Sequence, residues 1–488
     1  MSLTLHRLRA SYLNYLPELR IPQSPRIPSS MHAHILRRVT PATAILSLCL
    51  SGVFLCAVVY RDYTFDRQSR IDGHTTTELS FPDAFDPLDA QTVLNGPPTA
   101  SFRDNLKPDQ KYITSWGSSA GWTNDVISFM NLIYLAQQTN RIPVLPHHTS
   151  THLSWEVQEQ MTFGEVFDVP RLSKALAKPI VEWHQVKSRA DAVWDEIGCW
   201  NVWAPSSGNA EARTSHVTYS WSLDIAYTRA PNYVKLYPGA TGDFHASAPA
   251  LTTLAYPEYR AKALQENKPI ESSGSHHTQA PDEQMLCFDY MYYLGTYQNF
   301  EFEAQHSPVW NTIGTNMRWN PTLNLLVDEF LRSMFNLDAT TPIPPFISVH
   351  ARRKDFADYC KSHPVDKCLV STDIYKRRVA EVTAAVYQHK GVHVTHVVMT
   401  SDEKDEAWWD EIAAAGWFRP DHTRMQTAEI YGEWYPVLFD AVVQSRGIGF
   451  VGTDSSTMSV LAARRVQDWN GGVTKLVKWG APERWEMN

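Results

Sequence analysis

Positive charge is what this chain is shortest of: 44 lysines and arginines face 52 aspartates and glutamates, a formal net charge of −8. That deficit excludes a nucleic-acid partner, because affinity for a phosphate backbone needs a basic surface. Any phosphate the protein holds must be held locally. Cysteine is scarce too, six in 488 residues, and no paired Cys-x-x-Cys knuckles occur, so no metal is expected. Cys49 and Cys56 fall in an apolar run, as filler or palmitoylation sites. Cys199, Cys287, Cys360 and Cys368 remain, an even number that suits a compartment where disulfides form. Cys360 and Cys368 are close enough for a local bridge, with Cys199 to Cys287 as the second; sequence alone does not fix the connectivity. No usable N-glycosylation acceptor exists either, since Asn320 is followed by Pro321.

Charge is absent altogether from Ala42 to Tyr60, close to the ~20 residues that cross a bilayer as a helix. Residues 1–41 carry Arg7, Arg9, Arg20, Arg26, Arg37 and Arg38 against Glu18 alone, which reads as a disordered basic tail. Arginines on that side leave it in the cytosol. The expectation is a single-pass type II anchor at 42–60, in preference to a cleaved signal peptide, since the run is long, starts late and has no small-residue cleavage site. Residues 61–106, polar and broken by Pro82, Pro87, Pro97 and Pro98, read as a semi-extended stem. The remaining length suggests two domains.

What is present begins with Tyr112 to Trp116, a strand, then a small-residue loop through Gly121-Trp122-Thr123-Asn124-Asp125, a helix from Val126 to Gln138 and a second strand at Ile142 to Leu145. A strand, loop, helix and strand in that order open a Rossmann-like half. The loop does not match Gly-x-Gly-x-x-Gly and no Walker lysine follows, so a dinucleotide or ATP P-loop is a poor reading. His147, His148 and His152 read as a polar loop after the second strand rather than a metal site. Trp183, Trp194, Trp200, Trp203 and Trp221 read as packing residues. Between Thr162 and Asp338 the pattern is hard to follow, apart from a short helix around Phe163, Val166 and Phe167 and a loop from Glu271 to Glu283.

The second half is organised around Phe346 to Asp355. Prolines at 342, 344 and 345 punctuate the entry to a short β-branched strand that ends in His350, Arg352, Arg353 and Asp355. Open α/β sheets place ligands at the carboxyl ends of their strands, and a guanidinium donates two parallel hydrogen bonds to phosphate. A solvated loop with structural ion pairs has the same composition. Helices at Asp373 to His389, Lys404 to Ala415 and Glu433 to Arg446 alternate with strands at Val394 to Thr400 and Ile448 to Val451, which implies a parallel sheet. The last strand ends in Gly452-Thr453-Asp454-Ser455-Ser456-Thr457 before a helix from Met458. That run is either a phosphate cradle or ordinary serine and threonine capping.

The His-x-Arg-Arg-x-Asp-Phe of His350 to Phe356 and the Gly-Thr-x-Ser-Ser-Thr of Gly452 to Thr457 resemble the GDP-fucose protein O-fucosyltransferase family and, more distantly, the α1,6-fucosyltransferases. Gly121 to Asn124, Arg141 to Pro146 and Phe163 to Asp168 are similar to further segments of that family. The resemblance implies an α/β GT-B-like fold, two Rossmann-like domains at 107–340 and 341–488 facing a cleft, with a GDP-sugar, GDP-fucose, bound mainly by the second. It implies that Arg352 clamps the β-phosphate, that His350 and Asp355 lie at the nucleotide, and that Asp440 reads the guanine edge. Ser455, Ser456, Thr457 and Met458 would touch phosphates and fucose, and Gly121, Trp122 and Asn124 the sugar at the acceptor side. No Asp-x-Asp is present to hold a metal on the diphosphate, so Arg352, amides and hydroxyls would stabilise the leaving GDP. One branch of the family has a glutamate where this chain has Ser119 and Ala120. Either no strong base is needed, as in the branch with an asparagine at the position of Asn124, or Asp125 substitutes; the first is preferred, since a carboxylate starting a helix is commonly a structural cap. The expected protein is a lumenal Golgi or endoplasmic-reticulum enzyme that transfers fucose, with inversion, to a protein or glycan acceptor. Another GDP-sugar, or a membrane-tethered binding module without turnover, are the alternatives.

Overall fold

Two fully parallel sheets carry the described residues, which in this computed structural model are 86–117, 120–153 and 160–487. The tail, the expected anchor and residues 61–85 of the expected stem lie outside them, and so does Ser119. Among the described residues no helix is long and apolar enough to cross a membrane.

The first sheet has the order β3-β2-β1-β7-β4-β5: β1 is Tyr112–Ser115, β2 Ile142–Leu145, β3 Val181–Glu182, β4 Asp195–Asn201, β5 Leu223–Arg229 and β7 Met285–Phe288. The short strands β6 (Ala246–Ser247) and β8 (Leu294–Gly295) pair separately. In the second sheet, of order β10-β9-β11-β12, β9 is Phe346–Ala351, β10 His396–Ser401, β11 Gly449–Thr453 and β12 Val473–Val477. Every residue of β1, β2, β9 and β11 is buried, as expected of parallel strands covered on both faces. The covering helices are α1 (Trp122–Gln138), α2 (Pro321–Met334), α3 (Thr372–Lys390), α4 (Glu406–Ala414), α5 (Tyr435–Arg446) and α6 (Thr457–Asn470).

Residues 86–106, expected to be part of a stem, are folded against the first sheet. Val93, Leu94, Phe102 and Leu106 are buried in one apolar cluster with Tyr112, Trp116 and Trp183. Asp195 ties the segment down, accepting from Ser101 Oγ at 2.5 Å, Phe102 N at 3.0 Å and Lys187 Nζ at 2.5 Å. Residues 86–106 therefore belong to the folded unit; their apolar positions follow neither helical nor strand spacing, which is why they read as spacer. Both expected disulfides are formed: Cys199–Cys287 joins neighbouring strands β4 and β7, and Cys360–Cys368 closes the loop beyond β9.

The two sheets share a core. The largest apolar cluster runs from Ile127 and Leu135 on α1 through Leu323, Val327 and Phe330 on α2 to Leu438, Phe439 and Val442 on α5. Trp319 N–H donates to Ser445 Oγ at 2.8 Å, and the Arg465 guanidinium lies 4.2 Å over the Trp319 ring.

Candidate active site

Parallel register decides what surrounds Arg352. β9 pairs with β10 so that Ala351 lies beside Ser401, and the next residues on each strand, Arg352 and Asp402, emerge together at the carboxyl edge. Arg352 Nη1 lies 3.1 Å from Asp402 Oδ2, and Nη2 donates to Asp355 Oδ2 at 2.7 Å. Burial works against the charge of Asp355, yet the guanidinium overrides it and holds its pKa below the usual range. The main chain of Arg352 is fixed as well. Its N–H donates to Thr453 Oγ1 at 2.9 Å, that hydroxyl donates to the His350 carbonyl at 3.2 Å, and the Tyr375 hydroxyl lies 2.8 Å from it. Arg353 turns the other way, donating to Glu403 at 2.6 Å with its guanidinium over Trp408; it is structural.

His350 lies beneath the edge, 3% exposed, with Nδ1 2.7 Å from Ser459 Oγ. Burial, then the nearby Arg352, pushes its pKa down to about 3, so the ring is neutral. Ser459 also accepts from Thr453 N at 3.0 Å. Gly452 permits this approach: a Cβ there would stand 2.8 Å from the Ser459 Cβ. Ser455 takes a left-handed φ of 62° at the turn, and Ser456 caps α6 by accepting from Ser459 N. Capping by serine is therefore present in this run.

The amino ends of α1 and α6 meet here. Thr123 Oγ1 and Thr457 Oγ1 are 2.7 Å apart, and Thr457 donates to Asn124 Oδ1 at 3.0 Å. Gly121 is the cap position of α1. The two motifs, over 300 positions apart in the sequence, are thus joined side chain to side chain.

Two expected site residues sit in the core, and a third, Met458 at the start of α6, is partly buried. Trp122 is core, 3% exposed, packed edge-on against His148 and tilted on Trp319. Asp125 is fully buried and accepts from Thr149 N at 2.6 Å and Thr149 Oγ1 at 2.8 Å, so it anchors the loop after β2 and is not a base at the cleft surface. Met458 packs partly against the apolar cluster. Helical spacing explains the first two: starting at Trp122, four residues before the expected Val126, α1 turns both inward.

Asp440, on α5, is partly accessible and lies 3.0 Å from His422 Nε2. His422 stacks on Phe330 of α2. Asp402, Tyr375, Ser459 and His422 were not singled out by sequence, since only register and packing bring them in, and His152 was read only as part of a polar loop. The histidine loop is not uniformly polar. His147 and His148 are buried, and desolvation lowers each pKa to about 3. His152 is exposed and reaches Arg352, whose Nη2 donates to its Nε2 at 3.4 Å. Among the tryptophans, Trp183, Trp200 and Trp221 are buried, whereas Trp194 is 60% exposed. Among the described residues no cluster of metal-ligating side chains occurs.

The family model described as GDP-fucose protein O-fucosyltransferase matches residues 112–467, from β1 into α6. Crystal structures of POFUT1 in its apo form and in complex with GDP-fucose are similar to the chain at 15% identity, covering 77% and 76% of this chain and 99% and 98% of theirs, with TM-scores of 0.48 and 0.45. Fucosyltransferase NodZ from Bradyrhizobium is similar at 11% identity, over 72% of this chain and 93% of its own, with a TM-score of 0.34. No curated protein matches the sequence.

Proposed function

The chain belongs to the GDP-fucose protein O-fucosyltransferase family, and from that membership we propose that it moves fucose from GDP-fucose to a hydroxyl of a protein or glycan acceptor, inverting the anomeric carbon. It is a glycosyltransferase, and the two parallel sheets form the two halves of a GT-B arrangement. The observation that carries the reading is Arg352, fixed at the carboxyl edge of β9 and touching His152 from the first sheet's side. A diphosphate between the halves takes that guanidinium from Asp355 and Asp402 and lies at the start of α6, where free amides face an anion. Guanine then meets Asp440, whose carboxylate accepts from the adjacent N–H donors of the base. As GDP departs, charge on the β-phosphate is met by Arg352 and the hydroxyls of the 452–457 run, with no metal on the diphosphate. The acceptor hydroxyl attacks from the opposite face of the sugar.

We place the enzyme in the lumen of the Golgi or endoplasmic reticulum, held by a type II anchor at 42–60. Two disulfides support an oxidising compartment. The test is turnover of GDP-fucose with a panel of protein and glycan acceptors. Arg352→Ala is expected to cut transfer by at least ~100-fold, the usual cost of removing a donor from developing charge, with the circular dichroism unchanged; undiminished transfer by the variant sinks the assignment. A binding module without turnover is favoured by one observation, the burial of Asp125. Calorimetric GDP binding with no fucose released to any acceptor selects it.

A further inference from the structure

His152 is the point at which the loop after β2 reaches the second sheet, and the loop is built to hold it there. Asp125 takes both hydrogen-bond donors of Thr149, Thr151 N donates to the Ala120 carbonyl at 3.0 Å, and His152 N donates to Ser150 Oγ at 3.2 Å. The imidazole edge lies 3.2 Å from where a Cβ on residue 121 would stand, so glycine at that position makes room for the ring. Arg352 Nη2 donates to Nε2. A guanidinium has no lone pair, so Nε2 is the acceptor and the ring is neutral. Among the described residues, the charged groups acting on it are Arg352 and Lys354 on one side and Asp355 and Asp402 on the other.

We propose that His152 is a second ligand of the donor's diphosphate: when phosphate oxygens take the guanidinium, Nε2 acquires a proton and donates it in a hydrogen bond to a phosphate oxygen. The proposal rests on the GDP-sugar reading above. No covalent bond changes; one proton is taken from solvent for each donor bound. Partial desolvation, then the guanidinium, hold the pKa of His152 below the ordinary histidine range. A diphosphate reverses the balance, because two negative charges within hydrogen-bonding distance favour the charged ring. During transfer the imidazolium adds a second cationic donor where charge develops on GDP.

The test is calorimetric titration of the full chain with GDP-fucose, without acceptor, in buffers of different ionisation enthalpy from pH 6 to 8.5. GDP-fucose is the probe because its diphosphate, unlike the terminal phosphate of GDP, has no proton to exchange in this range. The wild type is expected to take up close to one proton in part of the range, with affinity falling towards tenfold per pH unit between the pKa of free His152 and that of the complex and levelling off above the latter. His152→Gln is expected to bind with no uptake and a flat pH profile, retaining affinity through Arg352. Uptake by neither protein, or equal uptake by both, overturns the proposal while leaving the donor assignment standing. If GDP-fucose binds neither protein, both fall. If Arg352→Ala binds GDP-fucose as tightly as the wild type, the phosphate site lies elsewhere and His152 loses its role.

Discussion

At the residue scale, Asp440, the carboxylate proposed to read guanine, is held in place by a histidine. A carboxylate oxygen only accepts, so His422 Nε2 carries the hydrogen in their 3.0 Å contact, and Nδ1 lies 3.1 Å from the Thr427 hydroxyl. Phe330 supports the ring from below. The carboxylate is thereby fixed while remaining partly accessible. On the proposed reading, Asp440→Asn replaces the acceptor of the guanine N–H groups by an amide that presents donors as well. The expected cost is about 1.5–3 kcal/mol, the range for a hydrogen bond to a charged group, or roughly 10–100-fold in affinity for GDP. The variant should also lose the preference for GDP over inosine diphosphate, which lacks the 2-amino donor. Competition between the two nucleotides measures this directly, and an unchanged preference means the base is read elsewhere. The placement of Arg352 and the 452–457 run at strand ends, and of Asp440 on the helix before the last of those strands, was legible in the sequence because each lies at a fixed offset from a strand. His422 was not, since only the packing of α5 on α2 brings it to Asp440.

At the element scale, legibility follows burial and length. The strands at 112–115, 142–145 and 346–351 are runs buried on both faces, and the helices α3, α4 and α5 begin and end within two residues of the expected bounds. β4, β5 and β7 were missed. β4 opens on Asp195 and Glu196 and contains Gly198, whose added Cβ would stand 2.0 Å from the Ala280 carbonyl oxygen, so its sequence records a close backbone approach and a polar anchor instead of strand propensity. β7 has four residues after a long polar loop. Their place in the sheet depends on distant pairing, and the Cys199–Cys287 bridge fastens it. That bridge spans 88 residues, the Cys360–Cys368 bridge eight. On the loop-entropy account, removing the first by Cys199→Ser with Cys287→Ser costs about 4.5 kcal/mol, and removing the second about 2.5 kcal/mol. Urea midpoints of the two double variants test the order. Equal losses would show that the long loop stays structured in the unfolded chain, and a larger loss for the short bridge would show that it fixes the turn carrying Asp355.

At the scale of the whole molecule, the buried ionisable groups set how stability depends on pH. His147, His148 and His350 have pKa values lowered to about 3, in each case chiefly by desolvation, against an ordinary 6.5. Between those values the unfolded chain binds three protons that the folded chain refuses, so stability falls as pH falls, by about 1.4 kcal/mol per unit for each ring. Glu182 and Asp289 act oppositely. Desolvation raises both to about 7, so between pH 7 and the ordinary carboxylate range the folded chain holds two protons that the unfolded chain has released, and acidification strengthens the fold. Among these five groups, from pH 6.5 to about 4.5 three losses meet two gains, a joint contribution near 1.4 kcal/mol per unit. Below about pH 4 the gains are exhausted and the slope steepens to about 4 kcal/mol per unit, with Asp355 and Glu403, both lowered overall by their arginine partners against the effect of burial, adding to the loss. His148 isolates one contribution. Its ring is stacked on Phe163 and near Phe129 and Phe167, and neither ring nitrogen has a hydrogen-bond partner among the described residues. A phenyl group can take its place without stranding a polar atom. Relative to the wild type, His148→Phe should therefore be more stable at pH 5 than at pH 7.5, by about 1.4 kcal/mol for each unit below 6.5. Urea unfolding of both proteins at the two pH values measures the difference, and an advantage independent of pH would show that His148 keeps its proton inside the fold.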